Sequence, residues 1–450
     1  MRKLFGTDGV RGKANTYPIT PEIALQIGKA TAYVFGAHGK GGSMKAIVGK
    51  DTRLSGYMIE TALTSGLVSM GMNVLAVGPM PTPAVAHLTR SMGASCGIMI
   101  TASHNPADDN GIKIFGGDGF KLPDLAELQI EEIVLRGEIN SSHISSELIG
   151  KAYRIDDARG RYIEFTKSSI RNHSLKGLKV VLDCANGAAY SMAPLILKEL
   201  GAEVIETAVH PDGSNINLNC GATCISHASE LVKKHKAHLG ISLDGDADRC
   251  IFCDADGNEV NGDRIIALCA LDFKARKRLA EDTVVVTSMS NLGLHKAMNE
   301  AGIRVEETGV GDRYVIERMR SGGFNVGGEQ SGHIIFMDYA TTGDGIITSL
   351  HVLKMMIDRN KTLAELADVM EEYPQVIRSI GVRDKIPFEK LPVLSAEIKA
   401  CEQALDGFGR TIVRYSGTEN KIRILVEARQ RADVDKWTAR LEAAVQKELC

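Results

Sequence analysis

Apolar and polar positions succeed one another along this chain in a repeating order. Ala46-Ile-Val-Gly49 is an apolar run that opens into the polar stretch Lys50 to Gly56; a helical pattern follows, then Gly71-Met-Asn-Val-Leu-Ala76. The same succession returns in Lys179 to Asp183, Cys184 to Gly187, Pro194 to Leu200 and Gly201 to Ile205. It returns again in Thr283 to Thr287, Ser288 to Asn291, Leu294 to Ala301 and Gly302 to Val305. Each unit reads as strand, polar loop, helix, glycine stop and strand, with the glycine as the helix C-cap. Three copies predict three α/β domains of related topology. Each is expected to present its loop at the carboxyl ends of its strands, where α/β sheets bind ligands.

The remaining stretch is patterned differently. Val376 to Val382 and Ile422 to Glu427 read as strands, and Asp433 to Leu449 as an amphipathic helix with Val434, Trp437, Leu441 and Val445 on one face. This predicts a smaller α+β domain at the C-terminal end. Domain boundaries are expected after Glu371-Glu-Tyr-Pro374, near Asp156 to Arg159 beyond the Ser/Gly-rich connection Asn140 to Gly150, and near the hairpin-type turn Asp254-Ala-Asp-Gly257. The chain of 450 residues therefore divides into 1–156, 157–255, 256–373 and 374–450.

Four loops carry chemistry. The apolar run Gly97 to Ile100 ends in Thr101-Ala-Ser-His-Asn-Pro106, where the Asn-Pro pair fixes a tight turn and presents Ser103 at a strand end. The alternative is a plain turn in which Ser103 and Asn105 bond their own backbone. Ala237 to Leu243 reads as a strand leading into Asp244-Gly-Asp-Ala-Asp-Arg249. Three carboxylates so close repel one another unless a cation sits among them, and hard oxygen ligands suit Mg²⁺. An EF-hand is excluded, because its glycine and glutamate positions hold Arg249 and Ala255. Gly327 to His333 sets Glu329, Gln330, Ser331 and His333 on a glycine-rich backbone suited to sugar hydroxyls. In Arg414 to Arg423, two guanidinium groups flank Ser416, Gly417 and Thr418, as in a phosphate cradle; a charged hairpin tip is the alternative. Phe5 to Gly12 with Arg11, Gly309 to Arg313 and Thr341 to Gly345 are further glycine-rich loops. Familiar templates fail: Gly36 to Lys45 is no P-loop, and Ser103 lies outside Gly-x-Ser-x-Gly, with the adjacent His104 unable to form a triad.

Composition narrows the setting. A net charge of −3 supplies no field for gripping nucleic acid or an anionic membrane. No stretch approaches the roughly 20 apolar residues of a membrane span. The Met1 to Val10 start has no apolar core of a signal peptide, which points to the cytoplasm. Nine cysteines, an odd number scattered widely, fit reduced thiols better than a disulfide framework. Cys250 and Cys253 fall at i and i+3 of a strand, on opposite faces, so they cannot share one zinc.

A strand-end hydroxyl, a Mg²⁺ loop, a sugar-like loop and a phosphate cradle together describe phosphoryl transfer on a phosphosugar. Phosphorylated, Ser103 would carry about −1.5 to −2 charge, which Mg²⁺ on the Asp244 loop would neutralise. With Phe5 to Gly12, Thr101 to Pro106, Asp244 to Arg249, Gly328 to His333 and Ser416 to Glu419 in place, the chain resembles the α-D-phosphohexomutase superfamily over its whole length. Glu-Gln-Ser-Gly-His and Thr-Thr-Gly-Asp-Gly point to its glucosamine branch. The resemblance implies three related mixed α/β domains plus a smaller C-terminal α+β domain around a central cleft.

It also implies that glucosamine 6-phosphate and glucosamine 1-phosphate are interconverted through a phosphoserine enzyme, on the way to UDP-N-acetylglucosamine and cell-wall precursors. By the same carry-over, Ser103, Asp244, Asp246 and Asp248 ligate Mg²⁺, and Arg414, Ser416, Gly417, Thr418 and Arg423 hold the phosphate that does not react. Glu329 and Ser331 hold sugar hydroxyls. Arg11, Lys113 and Arg249 lie near the transferred phosphoryl, with Lys113 or His333 assisting proton transfer. Glucose or glucosamine 1,6-bisphosphate is the implied activator or intermediate. The implied partners are a small phosphosugar and a priming kinase, with no nucleic acid and no membrane; oligomeric state is left open. Competing readings are a phosphoglucomutase or phosphomannomutase, a Mg²⁺-dependent phosphatase with Asp244 as nucleophile, and a non-catalytic phosphosugar-binding protein. Three departures stand out. Ala247 replaces a frequent glycine, and φ > 0 there would cost about 1 kcal/mol or more, so an altered backbone is expected. Tyr415 replaces a common lysine and Asn420 a usual proline, so altered phosphate affinity and loop stiffness are expected.

Overall fold

The computed structural model describes residues 4–6, 8–36, 44–137, 144–416 and 420–450. By packing, the chain forms two compact units, Met1–Met289 with Gly302–Val369, and Ser290–Ala301 with Met370–Cys450. The first unit holds three sheets. Strands β1 (Val10–Lys13), β2 (Lys45–Lys50), β3 (Asn73–Pro79), β4 (Cys96–Ile100), β5 (Asp109–Gly116) and β6 (Ala152–Arg154) align as β1-β5-β4-β2-β3-β6, with helices α1 (Pro21–Val34), α2 (Ser55–Ser69), α3 (Thr82–Ser91) and α4 (Asp124–Arg136). After α5 (Ala158–Ser169) come β7 (Lys179–Asp183), α6 (Ala193–Glu199), β8 (Glu203–Thr207), α7 (Ile225–His235), β9 (Leu239–Leu243), β10 (Cys250–Cys253) and β11 (Glu259–Val260), ordered β11-β10-β9-β7-β8. The third sheet follows α8 (Gly262–Ala275). Its strands are β12 (Thr283–Thr287), β13 (Arg304–Thr308), β14 (Val326–Gly328) and β15 (Ile334–Phe336), ordered β13-β12-β14-β15. Between them lie α9 (Leu292–Glu300) and α10 (Asp312–Gly322), and α11 (Gly345–Arg359) and α12 (Leu363–Ala367) follow.

The repeats read from the sequence are real, and they extend further than the sequence showed. In each sheet the first strand of the unit is central and pairs in parallel with two others: β2 with β3 and β4, β7 with β8 and β9, β12 with β13 and β14. The third strand then turns back into an antiparallel neighbour: β4 into β5, β9 into β10, β14 into β15. Central strands such as β12 are buried from end to end, which is why they read as unbroken Val runs. Gly71 (φ +88°) and Gly201 (φ +95°) end their helices as foreseen. The N–H groups of Gly71 and Met72 return to Val68 and Leu67, a Schellman closure.

The second unit is a three-stranded antiparallel sheet, β16 (Gln375–Gly381), β18 (Lys421–Ala428) and β17 (Gly409–Tyr415), with α13 (Pro392–Leu405) and α14 (Arg431–Leu449). Val434, Trp437, Leu441 and Val445 of α14 are buried in its core with Ile422, Ile424 and Val426. One element departs from the simple repeat. Helix α9, third-repeat counterpart of α2 and α6, packs in this unit: the Leu292 N–H donates to Glu427 Oε1 (2.8 Å) and Asn291 Nδ2 to the Tyr373 carbonyl (2.9 Å). A Cβ on Gly293 would stand 1.8 Å from the Glu371 carbonyl oxygen, so only glycine lets the helix lie so close.

Candidate active site

The chemistry-bearing loops occupy equivalent places in the fold. Ser103 lies between β4 and β5, the acidic loop between β9 and β10, Glu329 to His333 between β14 and β15, and Ser416 between β17 and β18. In each sheet of the first unit this is the hairpin after the third strand. The repeat taken alone pointed to the loops after the first strands, whereas the loops singled out for their chemistry are these hairpins.

Ser103 is buried and holds φ +52°, a left-handed backbone uncommon for a residue other than glycine. Its Oγ donates to Asp244 Oδ2 at 2.6 Å. One oxygen from each of Asp244, Asp246 and Asp248 falls within 4.8 Å of the others, and all three residues are buried. Gly245 lets this loop press on the serine: a Cβ there would stand 2.5 Å from the Ser103 carbonyl oxygen. Thr82 Oγ1 donates to Asp246 Oδ2 (2.6 Å), but Asp246 Oδ1 and Asp248 Oδ1 are buried without any hydrogen-bond partner. Burial, together with Asp248 and Asp246, pushes the Asp244 carboxyl well above its ordinary pKa. Clustered, dehydrated, all-oxygen and partly unpaired, these groups fit a hard divalent cation. Ala247 holds φ +55°, so the expected change of backbone does not occur; the loop keeps its left-handed turn, closed by the Ala247 N–H to the Asp244 carbonyl (3.0 Å).

Cations surround the acids. Lys113 Nζ on β5 donates to Asp246 Oδ2 (2.9 Å) and Asp248 Oδ2 (3.2 Å) and lies 3.4 Å from Asp8 Oδ2. Burial would lower its pKa, but Asp246, Asp8 and Asp248 outweigh that and hold the ammonium charged. Asp8 also meets Arg11 and Lys121, and Lys121 continues to Asp312. Burial would raise the Asp8 pKa, yet Lys113, Lys121 and Arg11 hold it well below the ordinary range. Arg249 Nη1 donates to His104 Nδ1 (2.9 Å), which leaves the proton of the neutral ring on Nε2. Burial, then Arg249 and Arg11, push His104 down to about 4. His104, set aside on sequence grounds, thus lies in the site, its Nδ1 3.4 Å from Ser103 Oγ.

The third loop faces the same cluster. His333 Nε2 accepts from the Gly343 N–H (3.0 Å), and its Nδ1 lies 3.5 Å from Asp248 Oδ1. Glu329 Oε1 accepts from the Gly311 N–H (3.2 Å), while Ser331 is exposed at the loop tip. Ser103, the three aspartates, Lys113, Arg249, Arg11 and His333 therefore form one connected cluster. His104, Asp8, Lys121 and Asp312 join it without a role having been read for them, although the loops Thr101 to Pro106, Phe5 to Gly12 and Gly309 to Arg313, which carry His104, Asp8 and Asp312, were singled out in the sequence.

In the second unit, Arg414 and Arg423 stand directly opposite one another on β17 and β18. Burial and Arg423 push the Arg414 pKa down, as expected for like charges paired across strands. The Ser416 N–H closes the hairpin onto the Lys421 carbonyl (2.8 Å). Gly417 and Thr418 lie outside the described residues. Tyr415 points to the opposite face from Arg414: its hydroxyl donates to the Ile386 carbonyl (2.6 Å) and its ring stacks on Phe388.

Sequence comparison agrees with this layout. Models of phosphoglucomutase/phosphomannomutase alpha/beta/alpha domains I, II and III match residues 2–140, 160–257 and 261–373, and that of the C-terminal domain matches 354–444. The phosphoglucosamine mutase of Geotalea uraniireducens is 52% identical over 450 residues, covering 100% of this chain and 99% of the relative. Among solved structures, a phosphoglucomutase/phosphomannomutase family protein of Burkholderia thailandensis superposes with a TM-score of 0.82 at 23% identity, covering 98% of this chain and 97% of the other. The Aspergillus fumigatus N-acetylphosphoglucosamine mutase, solved with GlcNAc-6P and magnesium, has a TM-score of 0.66 at 18% identity, covering 99% and 96%. These two likenesses are of fold. With four domain models in order and a relative sharing half its residues end to end, the chain belongs to the phosphoglucosamine mutase branch of the phosphoglucomutase/phosphomannomutase family.

Proposed function

We propose that this chain interconverts glucosamine 6-phosphate and glucosamine 1-phosphate in the cytoplasm, with Ser103 as the phosphate carrier. The observation that carries the reading is the 2.6 Å contact of Ser103 Oγ with Asp244, inside an acidic triad in which two buried oxygens make no hydrogen bond. Asp244, Asp246, Asp248 and Ser103 would hold Mg²⁺. Bound there, the ion would neutralise charge on the phosphoserine and polarise the transferring phosphoryl group. Arg249, Arg11 and the charged Lys113 stabilise the equatorial oxygens as the bond from phosphorus to Ser103 Oγ breaks and the bond to the sugar O1 forms. The proton leaving the sugar hydroxyl ends on Ser103 Oγ, which the breaking bond frees as a hydroxyl donating to Asp244. Lys113, ringed by carboxylates, keeps its own proton. His333 has its Nε2 occupied by the Gly343 N–H; burial would lower its pKa, but Asp248 and Asp312 outweigh that and raise it, so it assists only by holding Asp248 in place. Glu329 and Ser331 hold sugar hydroxyls. Arg414, Ser416, Gly417, Thr418 and Arg423 hold the phosphate that is not transferring. The 1,6-bisphosphate then presents its other phosphoryl to Ser103, which regains the group as product leaves. First loading of Ser103 comes from a bisphosphate or a kinase. One task falls to each of the segments 1–156, 157–255, 256–373 and 374–450.

Turnover of glucosamine 6-phosphate, glucose 6-phosphate and mannose 6-phosphate, compared side by side, tests the substrate. Glucosamine 6-phosphate is expected to lead clearly, and preference for a neutral sugar would overturn the assignment. Peptide mapping is expected to find phosphate on Ser103, and Ser103→Ala to lose nearly all activity. Retained activity in that variant would favour an aspartyl phosphatase instead.

A further inference from the structure

The loop after β2, first of the repeated units, reaches the Ser103 loop through Arg53, which bonds its backbone. The Arg53 side chain is fully buried. Its Nε donates to Asp51 Oδ2 (2.9 Å), and its Nη2 donates both to the Ser103 carbonyl (3.0 Å) and to the Asn105 carbonyl (2.8 Å). Nη1 donates to the Asp109 carbonyl (2.9 Å) and to that of Pro106. A second donor reaches the same carbonyls from the other side. Asn217, in the segment between β8 and α7, donates through Nδ2 to Ser103 O (2.9 Å) and to Asn105 O (2.9 Å). The Ser103 N–H is fixed in turn: it donates to Thr101 Oγ1 (2.9 Å), whose hydroxyl donates to Asp51 Oδ2 (2.7 Å).

This arrangement answers a cost. Left-handed backbone at a non-glycine residue is strained and persists only where its surroundings over-determine it. Ser103 is in that state, and so are Asn217 (φ +58°) and Ala185 (φ +53°), whose carbonyl accepts from the Asn217 N–H (2.9 Å). The Asp51–Arg53 pair is electrically balanced, so its effect on the site is geometric.

We propose that Arg53 and Asn217 are positioning residues that clamp the Ser103 backbone in its left-handed conformation and so aim Oγ at the metal-binding carboxylates. The proposal rests on the mutase reading, with Ser103 as the carrier. It predicts that loosening the clamp slows phosphoryl transfer without weakening the hold on substrate. Asn217→Gly tests this, because glycine keeps the left-handed backbone accessible while deleting the carboxamide. The wild type's own turnover of glucosamine 6-phosphate checks the mutase reading separately. Asn217→Gly is expected to lower kcat about 10- to 100-fold, the scale of an ångström misplacement. KM should stay within about twofold, the melting temperature should fall by only a few degrees, and Asn219→Gly, the same change at an exposed neighbour that also holds a left-handed backbone (φ +54°), should keep the wild-type kcat. Arg53→Lys, if it folds, should fall in kcat in the same way. An unchanged kcat in Asn217→Gly, or a rise in KM at unchanged kcat, would overturn the clamp while leaving the mutase reading standing.

Discussion

A buried methyl group sits on the acidic loop at Ala247, in a conformation that glycine adopts more cheaply. The loop tolerates it because Ala247 is tied at both ends: its N–H bonds the Asp244 carbonyl and its own carbonyl accepts from the Gly345 N–H (3.0 Å). Tyr415 shows the opposite case, a departure that matters for packing and leaves the arginines alone. Tyr415→Phe removes one half-buried hydrogen bond, so thermal unfolding should report a loss of about 1 kcal/mol, while KM for the phosphosugar stays unchanged. A raised KM would place Tyr415 in the phosphate cradle after all. Ser103 and the aspartates were legible in the sequence because each group crowds polar chemistry directly after a buried strand. The roles of His104, Asp8 and Asp312 were not. Their significance lies in whom they meet, and Arg249 lies 145 positions from His104. Local pattern carries no such information.

Among elements, strand patterning revealed the central strands and their helices, since burial on both faces leaves long apolar runs. It missed that the third-strand hairpins are the equivalent functional positions, because strands as short as β14 and β15 leave almost no periodic signal. It also missed that α9 packs with the C-terminal unit, a matter settled by tertiary contact at Gly293. The β17–β18 hairpin supports a prediction of its own. Two opposed guanidinium groups repel, and a bound anion relieves that repulsion. Inorganic phosphate should therefore raise the melting temperature of the wild type. Arg423→Gln should keep or slightly raise the melting temperature without phosphate, lose most of the phosphate-induced shift, and raise KM about tenfold or more. A phosphate shift that survives in Arg423→Gln would mean that the anion binds elsewhere.

At the scale of the whole molecule, cation binding and protonation are expected to shift stability. Mg²⁺ at 100 times its Kd should stabilise the protein by about 2.7 kcal/mol, read as a melting shift that Asp246→Asn removes. No shift in the wild type would count against the acidic loop as a metal site. Burial holds His351 down to about 4, against an unfolded value near 6.5. Its folded pKa is depressed, so the unfolded chain binds the extra proton between those values. The contribution is complete above pH 6.5 and is lost as pH falls toward 4, at about 1.4 kcal/mol per pH unit within that window. Asp344, raised to about 6 by burial, works in the opposite sense, so the comparison to make is wild type against His351→Phe. Unfolding between pH 4.5 and 6.5 should be less pH-dependent in the variant, and equal slopes would contradict the assignment. The hairpin placement of the site loops has one more consequence. Each loop of the first unit is stitched on both sides into a sheet, so it has little freedom to swing as a gate. A sugar that is to offer first one end and then the other to the same serine would then have to do the turning itself against these loops.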